Sequence, residues 1–433
     1  MKKSLFFKIV VCLMCIGLVL PQGISFADSP SVASESAVLM DWVTGTVLFE
    51  KNPDTKLYPA STTKVMTGIL AIEYLDPEQI VTISQTAIDI DRDGSNIGLL
   101  WNEEISVSNL IYGLLVSSAN DAANALAENV SGNIEEFVKL MNAKAKELGM
   151  SNTNFVNTHG YHNDNHYTTA RDLAVLCRYA MQNEMFRHVV GTAQYEIAPT
   201  NKYEEVRPLS NNNALINPNK GWTHHYSPAK GIKTGHTSVA GACLTAYAEK
   251  DNMKLISVTM KAPSSPESFV DTKNLFEYGF NNFSHFELAN TKDVICKHEV
   301  KWAKGDDNIV VKAKDTVSGL LPKNYDKEKL VKEISIKDDL YAPVKMGEVI
   351  GEIKYRYDEK EVGYAELTVG EDVSRSVFQM IFDSIFTYIV NMWVIFPLGL
   401  IVAVLLIKRT MEIKRQEEMR RRRKNKNRQE FYR

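Results

Sequence analysis

Pro59-Ala60-Ser61-Thr62-Thr63-Lys64-Val65-Met66-Thr67-Gly68-Ile69-Leu70-Ala71-Ile72 places a serine and a lysine at the head of an apolar run. The apolar spacing fits a largely buried helix with proline near its start. Ser61 and Lys64 are three residues apart, so both fall on one face of that helix with Cβ atoms about 5–6 Å apart. A serine hydroxyl is a poor nucleophile at neutral pH and needs a base. Lysine becomes one when burial and a second cation lower its pKa. The helix N-terminus beside Ser61 adds a positive dipole end that favours a developing oxyanion.

Outward from this helix the pattern predicts an α+β domain over about 31–283. Ala37 to Asp41 and Thr46 to Glu50 are apolar-rich runs around Thr44-Gly45, a hairpin signal. Helical patterns follow at 108–129, at 133–149 with Gly149 as a C-cap, and from Thr169 to Met181. After Gly231 the period changes. Ala242 to Ala248 and Leu255 to Met260 read as strands, and Asp271 to Gly279 as a closing helix. Strands at both ends with helices between them imply one sheet made from distant segments. From 290 to 372 short alternating runs, such as Asn308 to Ala313 and Gly351 to Tyr357, are separated by Gly, Asp and Pro and predict a small all-β domain.

Two more motifs extend the chemistry. Ser118-Ala119-Asn120 falls within the helical pattern of 108–129, and Lys233-Thr234-Gly235 opens a predicted strand where glycine lets a substrate backbone approach. Each is weak alone. Ser227-Pro228-Ala229-Lys230 repeats the serine–lysine spacing, with Pro228 placing it in a loop, and Ser210-Asn211-Asn212 repeats the second pattern. The information lies in the ordered set: S-x-x-K on a helix, S-x-N, then K-T-G on a strand.

With its flanks, the set resembles the low-molecular-mass penicillin-binding proteins that are D-alanyl-D-alanine carboxypeptidases, the S11 serine peptidases. The residues concerned are Pro59 to Lys64, Ser117 to Ala123, Met141-Asn142, Thr158-His159-Gly160, Tyr167 to Asp172 and Lys233 to Thr237. The resemblance implies a serine β-lactamase/transpeptidase-like domain, an antiparallel sheet with helices, followed by a small β-rich domain. It implies that Ser61 attacks the carbonyl between two terminal D-alanines of a peptidoglycan stem peptide, and that Lys64 takes its proton. It also implies that Ser118 relays a proton to the leaving amine, that Asn120 orients the peptide, and that Lys233 and Thr234 hold the terminal carboxylate. Gly235 admits the substrate, and backbone N–H groups of Ser61 and His236 form the oxyanion hole. β-Lactam antibiotics would acylate Ser61 covalently, and no cofactor is implied. Many members carry an arginine before the closing helix, whereas 262–273 has none. A class A β-lactamase needs a Glu with an Asn four residues on, and no Glu from Glu128 to Glu205 has one. A D,D-endopeptidase of the same fold shares every motif and stays open.

The ends of the chain place it. Composition is that of an ordinary globular protein, with 44% apolar and 24% charged residues, which excludes a disordered or fibrous chain. The formal charge of −3 combines +3 over 1–27, −14 over 28–407 and +8 over 408–433. A nucleic-acid binder would put its basic patch on a folded domain, so none is expected here. Lys2 and Lys3, the apolar Ile9 to Leu20 and Ser25-Phe26-Ala27 read as a secretory signal over 1–27. Phe386 to Ile407 is long enough to span a bilayer, with Tyr388 and Trp393 toward one end. Lys408 onward is a basic tail, twelve Lys/Arg against four Glu. The expectation is a single-pass membrane protein with its catalytic domain outside and residues 408–433 in the cytoplasm. Val377 to Phe386 reads as an amphipathic helix entering the span. The family usually anchors by an amphipathic helix alone, so a true span departs from it. Cys177, Cys243 and Cys296 form no disulfide framework and read as buried small hydrophobes. His159, His162 and His166 fall in a predicted loop and are not expected to hold a metal.

Overall fold

The computed structural model describes residues 29–431 except Arg92. It opens on a hairpin of β1 (Ser36–Asp41) and β2 (Val47–Lys51). A 3-10 turn, Ala60–Thr63, leads into α1 (Lys64–Tyr74). Next come β3 (Ile80–Thr82), α2 (Gln85–Ile88) and β4 (Glu104–Ser106), with β3 and β4 paired. Helices α3 (Val107–Val116), α4 (Asn120–Ser131), α5 (Ile134–Glu147), α6 (Ala170–Ala180) and α7 (Glu184–Val190) follow. A second small hairpin joins β5 (Gln194–Ile197) to β6 (Arg207–Ser210). Then β7 (Ala229–Thr237), β8 (Gly241–Lys250), β9 (Met253–Ala262) and α8 (Ser265–Asn282) complete the first unit.

Its sheet is antiparallel in the order β2-β1-β9-β8-β7, so the first strands pair with the last. Every residue of β1 is buried, because helices cover both faces. Ala37 and Leu39 join the cluster of Leu244, Leu255, Phe276 and Phe280 under α8. Val38 and Met40 point the other way, into the core made with α1 and the middle helices. Each fully buried Leu- or Ile-sized side chain there contributes roughly 1.5–3 kcal/mol. That sum offsets the cost of the buried polar groups described below.

Four local expectations shift. The run 108–129 is two helices, α3 and α4, separated at Ser117 to Ala119, where Ser118 takes φ +64°. The closing helix starts six residues earlier than its apolar pattern, because Ser264 accepts from the N–H of Glu267 and Pro266 fills the first turn. Ser61 lies in the 3-10 turn rather than in the α-helix proper. Cys296 is half-buried, while Cys177 and Cys243 are buried; all three are free. The signal read over 1–27 lies outside the described residues.

By contacts the chain separates into two compact units. One runs to Phe286 and includes Leu320–Asp326; the other is Glu287–Gly319 with Lys327–Arg433. The second unit is built on a five-stranded antiparallel sheet in the order β11-β12-β16-β15-β14. Its strands are β11 (Val294–Glu299), β12 (Asn308–Ala313), β14 (Leu330–Ile336), β15 (Val349–Tyr357) and β16 (Lys360–Val369). Two strands that straddle the division, β10 (Phe283–Ala289) and β13 (Val317–Pro322), pair with each other. One helix, α9 (Val377–Phe431), closes the chain, so the amphipathic entry, the span and the start of the tail are continuous. Within it Val377–Arg422 is long and apolar enough to cross a membrane, and Phe378, Trp393 and Leu405 lie exposed along it.

Candidate active site

Ser61 stands on the 3-10 turn that Thr62 tightens by donating Oγ1 to the Pro59 carbonyl at 2.7 Å. One turn on, Lys64 is fully buried and its Nζ lies 3.0 Å from Ser61 Oγ. The Lys64 amine also donates to the carbonyl of His159 at 2.9 Å. Burial first, and then the charge of Lys233, hold the Lys64 amine well below the usual lysine value, against an opposing pull from Asp121. Lys233, on β7 beside β8, is pushed down to about 7 by burial. A buried amine lowered in this way and hydrogen-bonded to a serine hydroxyl has the arrangement that acyl transfer to a hydroxyl requires.

The sequence motifs therefore meet in space. Ser118, from the break between α3 and α4, and Thr234 and Gly235, from β7, line a cavity of about 600 Å³ on one side of Ser61. Asn120, the first residue of α4, and Thr237 line a second cavity of about 530 Å³ on the other. Ser61 and His236 belong to both, so a single cleft runs past the serine. Strand β7 passes so close to the turn that a Cβ on Gly235 would sit 2.9 Å from Ser61 N and 3.0 Å from the Pro59 carbonyl. Only glycine lets the His236 and Ser61 backbones adjoin in this way.

The flanking motifs are clamps on the loop beneath Lys64. Asn142 holds both backbone groups of Phe155, accepting from its N–H at 2.9 Å and donating to its carbonyl at 2.8 Å. Thr158 donates to Asn124 at 2.7 Å and its carbonyl accepts from Thr67. Gly160, at φ +84°, passes under the serine turn, where a Cβ would lie 1.8 Å from the Ala60 carbonyl. His166 accepts from Val156 N–H on Nδ1, which leaves Nε2 to donate to Thr63 Oγ1 at 2.8 Å. Burial, then the Lys64 charge, push His166 down to about 4, and the same causes with His166 push His159 to about 3. Both rings are neutral structural groups. Among the described residues no cluster of three or more His, Cys, Asp or Glu is placed to hold a metal.

The decoys separate cleanly. Ser227 and Lys230 are exposed, and Lys230 reaches only the Ser227 carbonyl. Asn211 is buried on the Thr192 carbonyl, though Asn212 reaches the cleft wall. Cleft residues without a motif include Asp93 and Tyr161 at one end, Lys220 and His224 at the other, and Ser95, which lines both. They come from loops with no period, so no sequence signal marks them.

The fold and this site define a transpeptidase-like serine enzyme domain, and known proteins similar to the chain agree. Residues 24–264 match the D-alanyl-D-alanine carboxypeptidase family of S11 peptidases, and residues 283–375 match the penicillin-binding protein 5 C-terminal domain. Over 350 residues the chain is 34% identical to D-alanyl-D-alanine carboxypeptidase DacF of Bacillus subtilis, covering 80% of this chain and 87% of that protein. It is 34% identical over 363 residues to DacA of Haemophilus influenzae, covering 82% and 89%. The crystal structure of penicillin-binding protein 5 from Haemophilus influenzae superposes with a TM-score of 0.66 at 32% identity, covering 80% of this chain and 99% of that one. The chain belongs to the S11 family of D-alanyl-D-alanine carboxypeptidases, serine peptidases that include penicillin-binding proteins.

Proposed function

We propose that this chain removes the terminal D-alanine from peptidoglycan stem peptides ending in D-Ala-D-Ala. The observation that carries the reading is the fully buried Lys64 amine 3.0 Å from Ser61 Oγ. Ser61 attacks the carbonyl carbon of the penultimate D-alanine while the neutral Lys64 amine takes the hydroxyl proton. The N–H groups of Ser61 and His236 receive the oxyanion. Ser118, with Lys233 beside it, passes a proton to the departing amine of the last D-alanine. Thr234 and Lys233 hold that residue's carboxylate, Asn120 orients the peptide, and Gly235 keeps the strand close enough for both. Water then cleaves the Ser61 ester. A β-lactam acylates Ser61 by the same attack and stays as the covalent product.

The proposed division is a signal over 1–27, the catalytic domain at 31–283, the small β-rich domain at 290–372, a span at 386–407 and a cytoplasmic tail at 408–433. In this arrangement the active site faces the wall. The test is mass spectrometry of a pentapeptide incubated with the detergent-solubilised chain. Loss of one D-alanine is expected. An intact pentapeptide alongside cleavage of cross-linked dimers would establish an endopeptidase instead.

A further inference from the structure

The two ends of the cleft differ in charge. Beyond Thr234 the wall holds Lys220 and His224 and, among the described residues, no acidic side chain. Beyond Asn120 it holds Asp93 and, among the described residues, no lysine or arginine. Residues 89–93 carry three aspartates against one arginine. The loop bearing Asp93 is tied down. The Asp121 carboxylate accepts from the N–H groups of Ile97 and Leu99, and Asn120 N–H donates to the Ser95 carbonyl at 2.7 Å. Gly94 packs against the Asn120 amide, and Tyr161 donates its hydroxyl to Asp93 Oδ1 at 3.2 Å. The hydrogen bond to Asp93, then the charge of Asp91, push the Tyr161 hydroxyl above its ordinary pKa. The ring of His159, which also lines this end, is held neutral, pushed down to about 3 by burial first.

Resting on the reading above, the polarity orients the substrate. Its terminal carboxylate belongs at the Thr234–Lys220 end, so the peptide on the acyl side of the scissile bond runs past Asn120 toward Asp93. We propose that Asp93 recognises the side-chain amine of the diamino acid immediately before the D-Ala-D-Ala. The enzyme then selects stems whose diamino acid still carries a free ammonium. Stems already cross-linked through that amine present a neutral amide, and Asp93 has no charge to pair with.

Asp93 is exposed, so the pairing is worth at most about 1 kcal/mol, or roughly fivefold in kcat/KM. The experiment compares D-alanine release by the full-length detergent-solubilised chain from Nα-acetyl-L-Lys-D-Ala-D-Ala and from Nα,Nε-diacetyl-L-Lys-D-Ala-D-Ala. At low salt the free amine is expected to be favoured by about fivefold, with the ratio falling toward one in about 0.5 M NaCl. Asp93→Asn brings the ratio near one, while Asp93→Glu keeps it. Penicillin labelling of each variant reports that its site is folded. A ratio of one in the unaltered chain at low salt, or a preference that Asp93→Asn retains, overturns the proposal while leaving the carboxypeptidase reading intact. Release from neither peptide overturns that underlying reading.

Discussion

At the scale of single residues, the base proposed for the chemistry, Lys64, is also a group whose burial bears on stability. Ser61→Ala is expected to abolish covalent labelling by penicillin, and Lys64→Met to slow it by at least about a hundredfold, the scale of a lost general base. Lys64→Met has a second consequence. The folded Lys64 amine is held below its ordinary value, by burial first and then by Lys233. Between that lowered value and about 10.5 the unfolded chain binds the extra proton, so stability of the unaltered protein rises with pH across this window. A methionine neither titrates nor needs desolvating. Lys64→Met should therefore be more stable than the unaltered protein near pH 7, with the gap closing as pH approaches 10. Urea unfolding of a chain ending at Ser376, before the last helix, at pH 7 and 9.5 reads this directly. Equal stabilities at pH 7 would mean that Lys64 is not a strained base.

At the scale of elements, three segments converge under the serine: the 3-10 turn, strand β7 and the loop of Thr158 to Gly160. The loop matters because its His159 carbonyl holds the Lys64 amine. Gly160→Ala puts a carbon where the Ala60 carbonyl already stands, at a left-handed φ of +84°. Overpacking and strain together should cost about 3 kcal/mol. Because the displaced atoms belong to the turn carrying Ser61, penicillin labelling should fall further than the loss of Tm alone explains. Wild-type labelling kinetics in a stably folded Gly160→Ala variant would show that the loop does not position the base. The break between α3 and α4 belongs to the same scale. The apolar period runs through 108–129 without interruption, yet the backbone turns out at Ser118, at φ +64°. Local periodicity reports which face is apolar, not where the chain leaves the helix to present a hydroxyl to a partner far away in sequence.

At the scale of the whole molecule, α9 governs where the enzyme works. Its exposed apolar length, followed by the twelve basic residues of 408–433, fits a bilayer crossed once with the tail inside. The helix begins at Val377, before the expected span, so a chain ending at Ser376 removes the whole apolar surface. That truncated chain is expected to be soluble and to label with penicillin at the full-length rate. In spheroplasts, added protease should destroy the penicillin-binding domain and spare a tag fused after Arg433. Digestion of the tag from outside, or membrane retention of the truncated chain, would mean a surface-lying anchor instead.

The order and spacing of Ser61-x-x-Lys64, Ser118-x-Asn120 and Lys233-Thr234-Gly235 were enough to assemble the site on paper. The distant apolar strands were enough to imply one sheet from both ends of a domain. These are properties of local period and residue chemistry, which sequence records directly. Tertiary structure alone decided the rest. The pKa of the Lys64 amine is lowered because burial and the Lys233 charge act on it, both set by segments distant in the chain. Ser118 points into the cleft because the chain breaks there, and Gly160 is required because a carbonyl from another segment fills its Cβ position. Asp93 and Lys220 mark opposite ends of one groove although neither belongs to any motif. Fields and close approaches depend on distances between segments far apart in the chain, and no local pattern encodes those distances.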